Sequence, residues 1–269
     1  MTAIEVDGLR WEVRTRGAGA PLLLLHGFTG RGSGWGAHAT AFARSHRLVL
    51  VDLPGHGRSG IPDDPERASI EHSADDLAAI LRRLSASPAH VIGYSLGARI
   101  ALRLAVAHPR SVRRLVLESP SAGIADRVAR VERSAADDAR ATRLERDGIE
   151  AFVAEWEREP VFASQAAMPA AWRARLRAAR LRNRPAGLAA SLRGAGQGAM
   201  DPLRDRLPGI TAPTLVVAGT ADAVVDHRNA ALLADAVPGA ELELLDGVGH
   251  LVFWERSEEF AALVERFLA

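Results

Sequence analysis

The chain of 269 residues contains no cysteine and no lysine. Without cysteine there are no disulfides, no thiolate metal ligands and no cysteine nucleophile. Without lysine, all 34 basic residues are arginine, a bias that, with the abundant alanine, reflects a GC-rich genome rather than a chemical demand. Only the placement of an arginine therefore carries information. Long apolar runs are missing as well: nothing approaches the roughly 20 residues needed to span a bilayer. The opening stretch MTAIEVDGLRWEVRTRG holds acidic residues and no apolar core of signal-peptide length. A charge imbalance is also absent. The 34 basic and 33 acidic residues give a formal net charge of +1, which gives no reason to expect nucleic acid or an acidic membrane as partner. These absences predict a cytoplasmic protein that acts on a small molecule, as a monomer or weak homo-oligomer.

What is present has a clear order. IEVDGLRWEVRTRG alternates polar and apolar residues around Asp7-Gly8, the pattern of a β-hairpin. Short, nearly unbroken apolar runs follow at 21–27, 47–55, 90–95 and 113–120, and again at 213–220 and 241–247. Runs of this kind read as strands buried on both faces of a parallel sheet. Helical patterns at 69–85, 96–107, 226–236 and 255–268 alternate with them, which predicts a doubly wound α/β sheet. From 122 to 208 the alternation stops, and only helical patterns rich in alanine and arginine remain. The expected organisation is a core over 1–121, a helical cap over 122–208 inserted before the penultimate strand, and the rest of the core over 209–269. Such a cap lies over the carboxyl edge of the sheet, where open α/β sheets bind ligands.

The chemistry starts at GYSLG, residues 93–97, a Gly-x-Ser-x-Gly pattern between an apolar strand and a helix. The glycines make room for a strained turn that lifts the Ser95 hydroxyl above the sheet. Serine is a poor nucleophile and a poor base until a histidine, itself oriented by a carboxylate, takes its proton. In this chain order the histidine follows the last strand, which selects His250 in LLDGVGH. The acid follows the penultimate strand, where VVAGTADAVVD offers Asp222 and Asp226. Asp222 lies directly after the strand and is favoured; Asp226 reads as a helix cap. Two backbone N–H groups are needed to hold a developing oxyanion. Leu96, after the serine, and Phe28, in HGFTG, are placed to supply them, and His26 in the same loop reads as a structural residue. In this order the motifs LLLLHGF, VDLPGHGRS, GYSLG, GTADAVVD and GVGH resemble an α/β-hydrolase-fold protein over nearly the whole chain.

Arginine placement narrows the substrate. GYSLGAR sets Arg99 one helical turn after Ser95 and on the same side of the helix. Residues 160–200 hold seven arginines and no acidic residue. Projected as a helix at about 100° per residue, 172–184 puts Arg173, Arg177, Arg180 and Arg184 on one solvated stripe. Arg175 and Arg182 fall nearly opposite, beside Trp172, where either can bury its stem and present its guanidinium to a cavity. Guanidiniums converging on a serine fit a carboxylate-rich ligand.

GYSLGAR, LVLESPSAGI, EWEREPVFASQ and LRNRPAGLAASLRGAG, with HGFTG, resemble the 2-succinyl-6-hydroxy-2,4-cyclohexadiene-1-carboxylate synthases of menaquinone biosynthesis. The resemblance runs through the cap, the part that differs most among α/β hydrolases. It implies a tricarboxylate substrate held by Arg99, Arg133 and Arg182, with Tyr94 and Trp156 lining the pocket. It also implies elimination of pyruvate by a Ser95–His250–Asp222 base relay, with neither metal nor organic cofactor. Two other readings compete. A serine hydrolase of a small ester or C–C bond uses the same three residues, and a ligand-binding relative without catalysis usually lacks one of them.

Overall fold

The computed structural model describes residues 2–223 and 227–269. Its strands are β1 (Thr2–Val6), β2 (Leu9–Arg16), β3 (Ala20–Leu25), β4 (His46–Asp52), β5 (Ala89–Tyr94), β6 (Val112–Glu118), β7 (Thr214–Gly219) and β8 (Glu241–Leu245). They form one sheet in the order β1-β2-β4-β3-β5-β6-β7-β8. β2 pairs antiparallel with β1 and β4, and every other pairing is parallel. The hairpin between β1 and β2 turns on Asp7 and Gly8, with φ of 44° and 72°. Two successive left-handed residues are what a type I′ turn requires.

The unbroken apolar runs have a direct cause in the sheet's two covered faces. In β3, Leu23 and Leu25 pack into one core and Leu22 and Leu24 into the other. β6 divides in the same way, with Leu115 and Leu117 on one side and Val116 opposite. Alternate side chains leave a strand on opposite faces, so a strand covered twice has no polar position to spare. Helices α1 (Gly36–Phe42), α2 (Ile70–Arg83) and α3 (Leu96–Ala107) follow β3, β4 and β5. α2 and α3 bury Leu77, Leu81, Ile100 and Leu104 against the first face. α1 contributes Ala39 and Phe42 to the second. α2 starts where the Ser69 side chain accepts the His72 N–H, and its last turn carries Arg82 and Arg83, favourable at that end of the helix dipole.

Between β6 and β7 the chain forms α4 (Arg127–Trp156), α5 (Ala170–Arg180) and α6 (Pro185–Ala195), and no strand occurs there among the described residues. α4 is interrupted at Gly148, where φ is 82°. Its Leu144, Ile149, Phe152 and Val153 pack on Leu188 of α6, and Ala141 packs on Ala189 and Leu192. Phe28, from the loop after β3, touches both of these clusters and so ties the inserted helices to the sheet. At Gly187 the α6 backbone lies so close to Gly55 that a Cβ on either would strike the other's carbonyl. After β7 come α7 (His227–Ala236), α8 (Val252–Glu255) and α9 (Ser257–Leu268). α7 packs Leu233 on the first face, and α9 packs Phe260, Val264 and Phe267 on the second. No described helix is long and apolar enough to cross a membrane.

Candidate active site

β5 delivers Tyr94 and then turns sharply at Ser95, whose φ of 50° and ψ of −108° lie outside the regions ordinary residues occupy. The strain is held by close backbone contacts on both sides. A Cβ at Gly93 would strike the backbone of Gly97, and one at Gly97 would strike the carbonyls of Leu25 and His26. The Ser95 N–H is also fixed, donating to the Glu118 carbonyl at 2.9 Å. α3 starts immediately afterwards, and the side chain stands at the carboxyl edge of the sheet.

Ser95 Oγ lies 2.9 Å from His250 Nε2, and His250 Nδ1 lies 2.7 Å from Asp222 Oδ2. An ionised carboxylate only accepts, so Nδ1 carries the proton and Nε2 turns its lone pair to the serine hydroxyl. Asp222 and His250 are both buried. The three residues selected from the sequence thus meet in one chain of hydrogen bonds. Asp226, the other candidate acid, lies outside the described residues. A serine in such a chain can release its proton to the ring and act as nucleophile or as base.

The loop that carries His250 is anchored by groups no motif points to. Glu255 accepts the N–H of Gly249 at 2.9 Å and that of Leu251 at 3.2 Å, bracketing the histidine. Its carboxylate also accepts the Ser164 hydroxyl, from the inserted segment, at 3.1 Å. The His250 carbonyl accepts the Ser119 hydroxyl at 3.1 Å. Glu118, fully buried, accepts the Phe253 N–H at 3.0 Å, and burial pushes its carboxyl well above the usual range. The signal available for these residues is their position, two at the end of β6 and one at the end of α8; nothing in their spacing marks them as a set. His26 has the structural role expected of it. It donates from Nδ1 to the Gly27 carbonyl and accepts the Leu53 N–H at Nε2, and burial pushes it down to about 4.

Ser95 and His250 open into an inner cavity of 180 Å³, lined also by Phe28, Leu96, Tyr94 and Trp156. Leu96 is the first residue of α3, so its N–H has no acceptor within the helix. Neither it nor the Phe28 N–H donates to a protein acceptor among the described residues. The Tyr94 ring lies 5.4 Å from that of His250, and Trp156 stacks on Phe152 with its Nε1 buried and without an acceptor. No group of three or more His, Asp or Glu side chains is placed to hold a metal ion among the described residues.

Arg99 and Arg133 reach this cavity as the sequence suggested; Arg182 does not. Arg99 is 8% exposed and donates to the Ala195 carbonyl at the end of α6 at 2.8 Å. Burial, and then Arg133, push its guanidinium down to about 10, so it stays charged at neutral pH. Arg133 pairs with Asp137 at 3.0 Å and donates to Gln197 at 3.1 Å. Arg180, which the helical projection assigns to solvent, is on the wall too, as is Arg140. The Arg180 guanidinium lies 4.7 Å over the Phe162 ring and 2.9 Å from Glu157. Arg180 shares its helix stripe with Arg173 and Arg177, but its end of α5 is covered by Phe162 and Glu157, so there the stripe is buried. Pro185 holds Arg184 in extended backbone, φ −95° and ψ 127°. Arg182 lies past the last residue of α5 and is exposed, outside the inner wall. Arg173, Arg177 and Arg184 are exposed as expected, and Arg175 lines the cavity rim.

Residues 20–257 match the family described as alpha/beta hydrolase fold. A 2-succinyl-6-hydroxy-2,4-cyclohexadiene-1-carboxylate synthase of Klebsiella pneumoniae (strain 342) is 36% identical over 248 residues, covering 92% of this chain and 93% of that protein. A Bacillus subtilis (strain 168) protein provisionally named for the same activity is 36% identical over 264 residues, covering 97% and 96%. Among solved structures, MenH from S. aureus superposes with a TM-score of 0.90 at 33% identity, covering 96% of this chain and 97% of that one. The sheet order, the serine turn and these likenesses agree: the chain belongs to the α/β-hydrolase-fold family.

Proposed function

We propose that this protein is a carbon–oxygen lyase. It eliminates pyruvate from 2-succinyl-5-enolpyruvyl-6-hydroxy-3-cyclohexene-1-carboxylate, leaving 2-succinyl-6-hydroxy-2,4-cyclohexadiene-1-carboxylate, a step of menaquinone biosynthesis. The observation that carries this reading is the Ser95–His250–Asp222 chain opening into a cavity walled by the guanidiniums of Arg99, Arg133 and Arg180. Residues 122–208 act as the cap that brings two of these arginines over the serine.

In this reading Ser95, with its proton passed to His250, removes the ring proton next to the succinyl ketone. Negative charge moves onto the ketone oxygen, where the Phe28 and Leu96 N–H groups receive it. The enolate collapses to a new ring double bond, the existing alkene shifts by one position, and the C–O bond to the enolpyruvyl group breaks. The leaving enolpyruvate takes a proton, from His250 or water, and becomes pyruvate. No acyl-enzyme forms, so the serine is a base in a relay and water is not a reactant. Asp222 keeps the imidazole in the tautomer that can accept from Ser95 and balances the charge it gains.

The carboxylates assign the arginines. Arg99 sits one turn behind the serine with no ion pair within 4 Å among the described residues, so it is ready to take a carboxylate directly. Arg133 and Arg180 are each held by an acid, Asp137 and Glu157, which fixes their direction toward the ligand. Arg180 takes the role that the resemblance had given to Arg182. Tyr94 and Trp156 supply the apolar wall against the ring.

The test is a coupled assay on the enolpyruvyl cyclohexene tricarboxylate, following pyruvate and the absorbance of the conjugated diene. The expected result is equal release of both, with Ser95→Ala and His250→Ala lowering kcat by at least about 1,000-fold. A wild-type protein that ignores this compound but cleaves simple aryl esters through Ser95 is a hydrolase, and the lyase reading is then wrong.

A further inference from the structure

Next to the inner cavity is a second, outer and larger one of 640 Å³; Arg31 and Arg175 line both. Its charged lining is of one sign: Arg31, Arg175 and Arg182, with no aspartate or glutamate. Among the described residues none of these three makes an ion pair within 4 Å, whereas Arg133, Arg140 and Arg180 deeper in are each held by an acid. Arg31 donates one bond, to the Ala179 carbonyl at 3.2 Å, and its Nε is buried without an acceptor. Burial, and next Arg182, hold the Arg31 guanidinium below its ordinary value, with Asp52 acting the other way. The walls are aromatic. Trp172 meets Trp254 edge to face at 5.7 Å, and Trp35, 1% exposed, keeps its Nε1 without an acceptor.

We infer that this outer cavity is a second binding site, for a planar ring bearing carboxylates, that receives such anions before they pass Arg31 into the inner cavity. An anion entering among these guanidiniums meets positive charge that no acid in the lining neutralises. A ring with carboxylates on its edge matches both features of the site, laying its face on the tryptophans and its oxygens on the arginines. Volume permits it: at 640 Å³ the outer cavity lies within the ~300–1,000 Å³ usual for a small-molecule site. The proposal rests on the lyase reading only for the direction of travel; the binding itself does not depend on it.

Benzene-1,3,5-tricarboxylate, which cannot react, is the probe. It is titrated at low salt with both calorimetry and tryptophan fluorescence as readouts. Wild type is expected to show two classes of site, with fluorescence reporting mainly the outer one. Arg182→Glu and Trp172→Ala, at positions exposed to solvent and lining only the outer cavity, should weaken one class at least tenfold and leave the other unchanged. Arg99→Ala should do the converse. A single class in wild type, or outer-cavity variants that titrate like wild type, overturns the inference. Because the probe does not turn over, a protein that binds it twice yet releases no pyruvate refutes the lyase reading and leaves this one standing.

Discussion

Arg99 carries the most specific charge in the site. It is buried, donates to the Ala195 carbonyl and faces the serine's cavity. A charge-assisted pair with a carboxylate is worth about 2–3 kcal/mol, so Arg99→Ala should lower kcat/KM about 30- to 160-fold in the pyruvate assay. Arg99→Lys should recover only part of that, because an ammonium offers a point charge where the guanidinium offers a fork. Equal activity in Arg99→Ala and wild type would remove this arginine from substrate binding. Glu118 supports a second prediction at this scale. Its carboxyl is raised above the usual range by burial, so the folded chain holds a proton there that the unfolded chain releases. Stability from this group is complete below the ordinary carboxyl range and is lost as pH rises toward the raised value. Glu118→Gln keeps an acceptor for the Phe253 N–H and cannot ionise. Its urea midpoint should therefore gain on wild type between pH 5 and pH 8; a constant gap between the two would mean that Glu118 titrates normally.

At the scale of elements, the serine turn depends on how closely α3 approaches β3. Gly97→Ala tests this because two effects oppose each other. Alanine favours helix over glycine by about 1 kcal/mol. The new methyl, however, meets the carbonyls of Leu25 and His26, which are main-chain atoms of the sheet edge and cannot rotate away. Overpacking against a rigid wall costs about 1–3 kcal/mol, so the variant should unfold at lower urea and lose kcat through a displaced Ser95. An unchanged urea midpoint with full activity would show that α3 can slide. The same contacts explain what was legible in the sequence. Glycines at 93 and 97 around a serine, after an unbroken apolar run, leave few other structures possible; strand order points to His250, and to Asp222 once its place in the turn is set against Asp226 as a helix cap. The arginines were harder to read because a projection shows one helix and not what packs on it. Arg180 shares a stripe with exposed Arg173 and Arg177 but is covered by Phe162 and Glu157, while Arg182 lies past the helix end and outside the inner wall. Glu255 and Glu118 were illegible for another reason. They act on backbone N–H groups across the fold, and a single chain read in order contains no record of that contact.

For the molecule as a whole, buried histidines shape the response to acid, and two of them, His26 and His56, belong to the site; His90 is buried and lowered as well. His26 and His56 lie beneath the site with ring centroids 5.1 Å apart, and Phe28, which caps the inner cavity, packs on His56 at 5.7 Å. Burial pushes His26 down to about 4 and His56 down to about 3; for His56 the neighbouring His26 adds to the effect. In the unfolded chain both titrate near 6.5, so below that value the unfolded state binds protons that the folded state refuses. Their contribution to stability is complete above pH 6.5 and is lost progressively as pH falls toward the folded values, about 2 kcal/mol for each ring by pH 5. Glu118 works in the opposite direction over part of this range, so the comparison belongs in a Glu118→Gln background. There, unfolding free energy from urea titrations should fall steadily from pH 7 to pH 4.5. Adding His56→Gln should make the slope shallower by about one proton between pH 6 and pH 4.5. Parallel profiles would show that His56 gains its proton while folded. The loop holding Phe28 and His26 would then sit on a charged pair instead of a neutral one, and the floor of the site would change with pH before the chain unfolds.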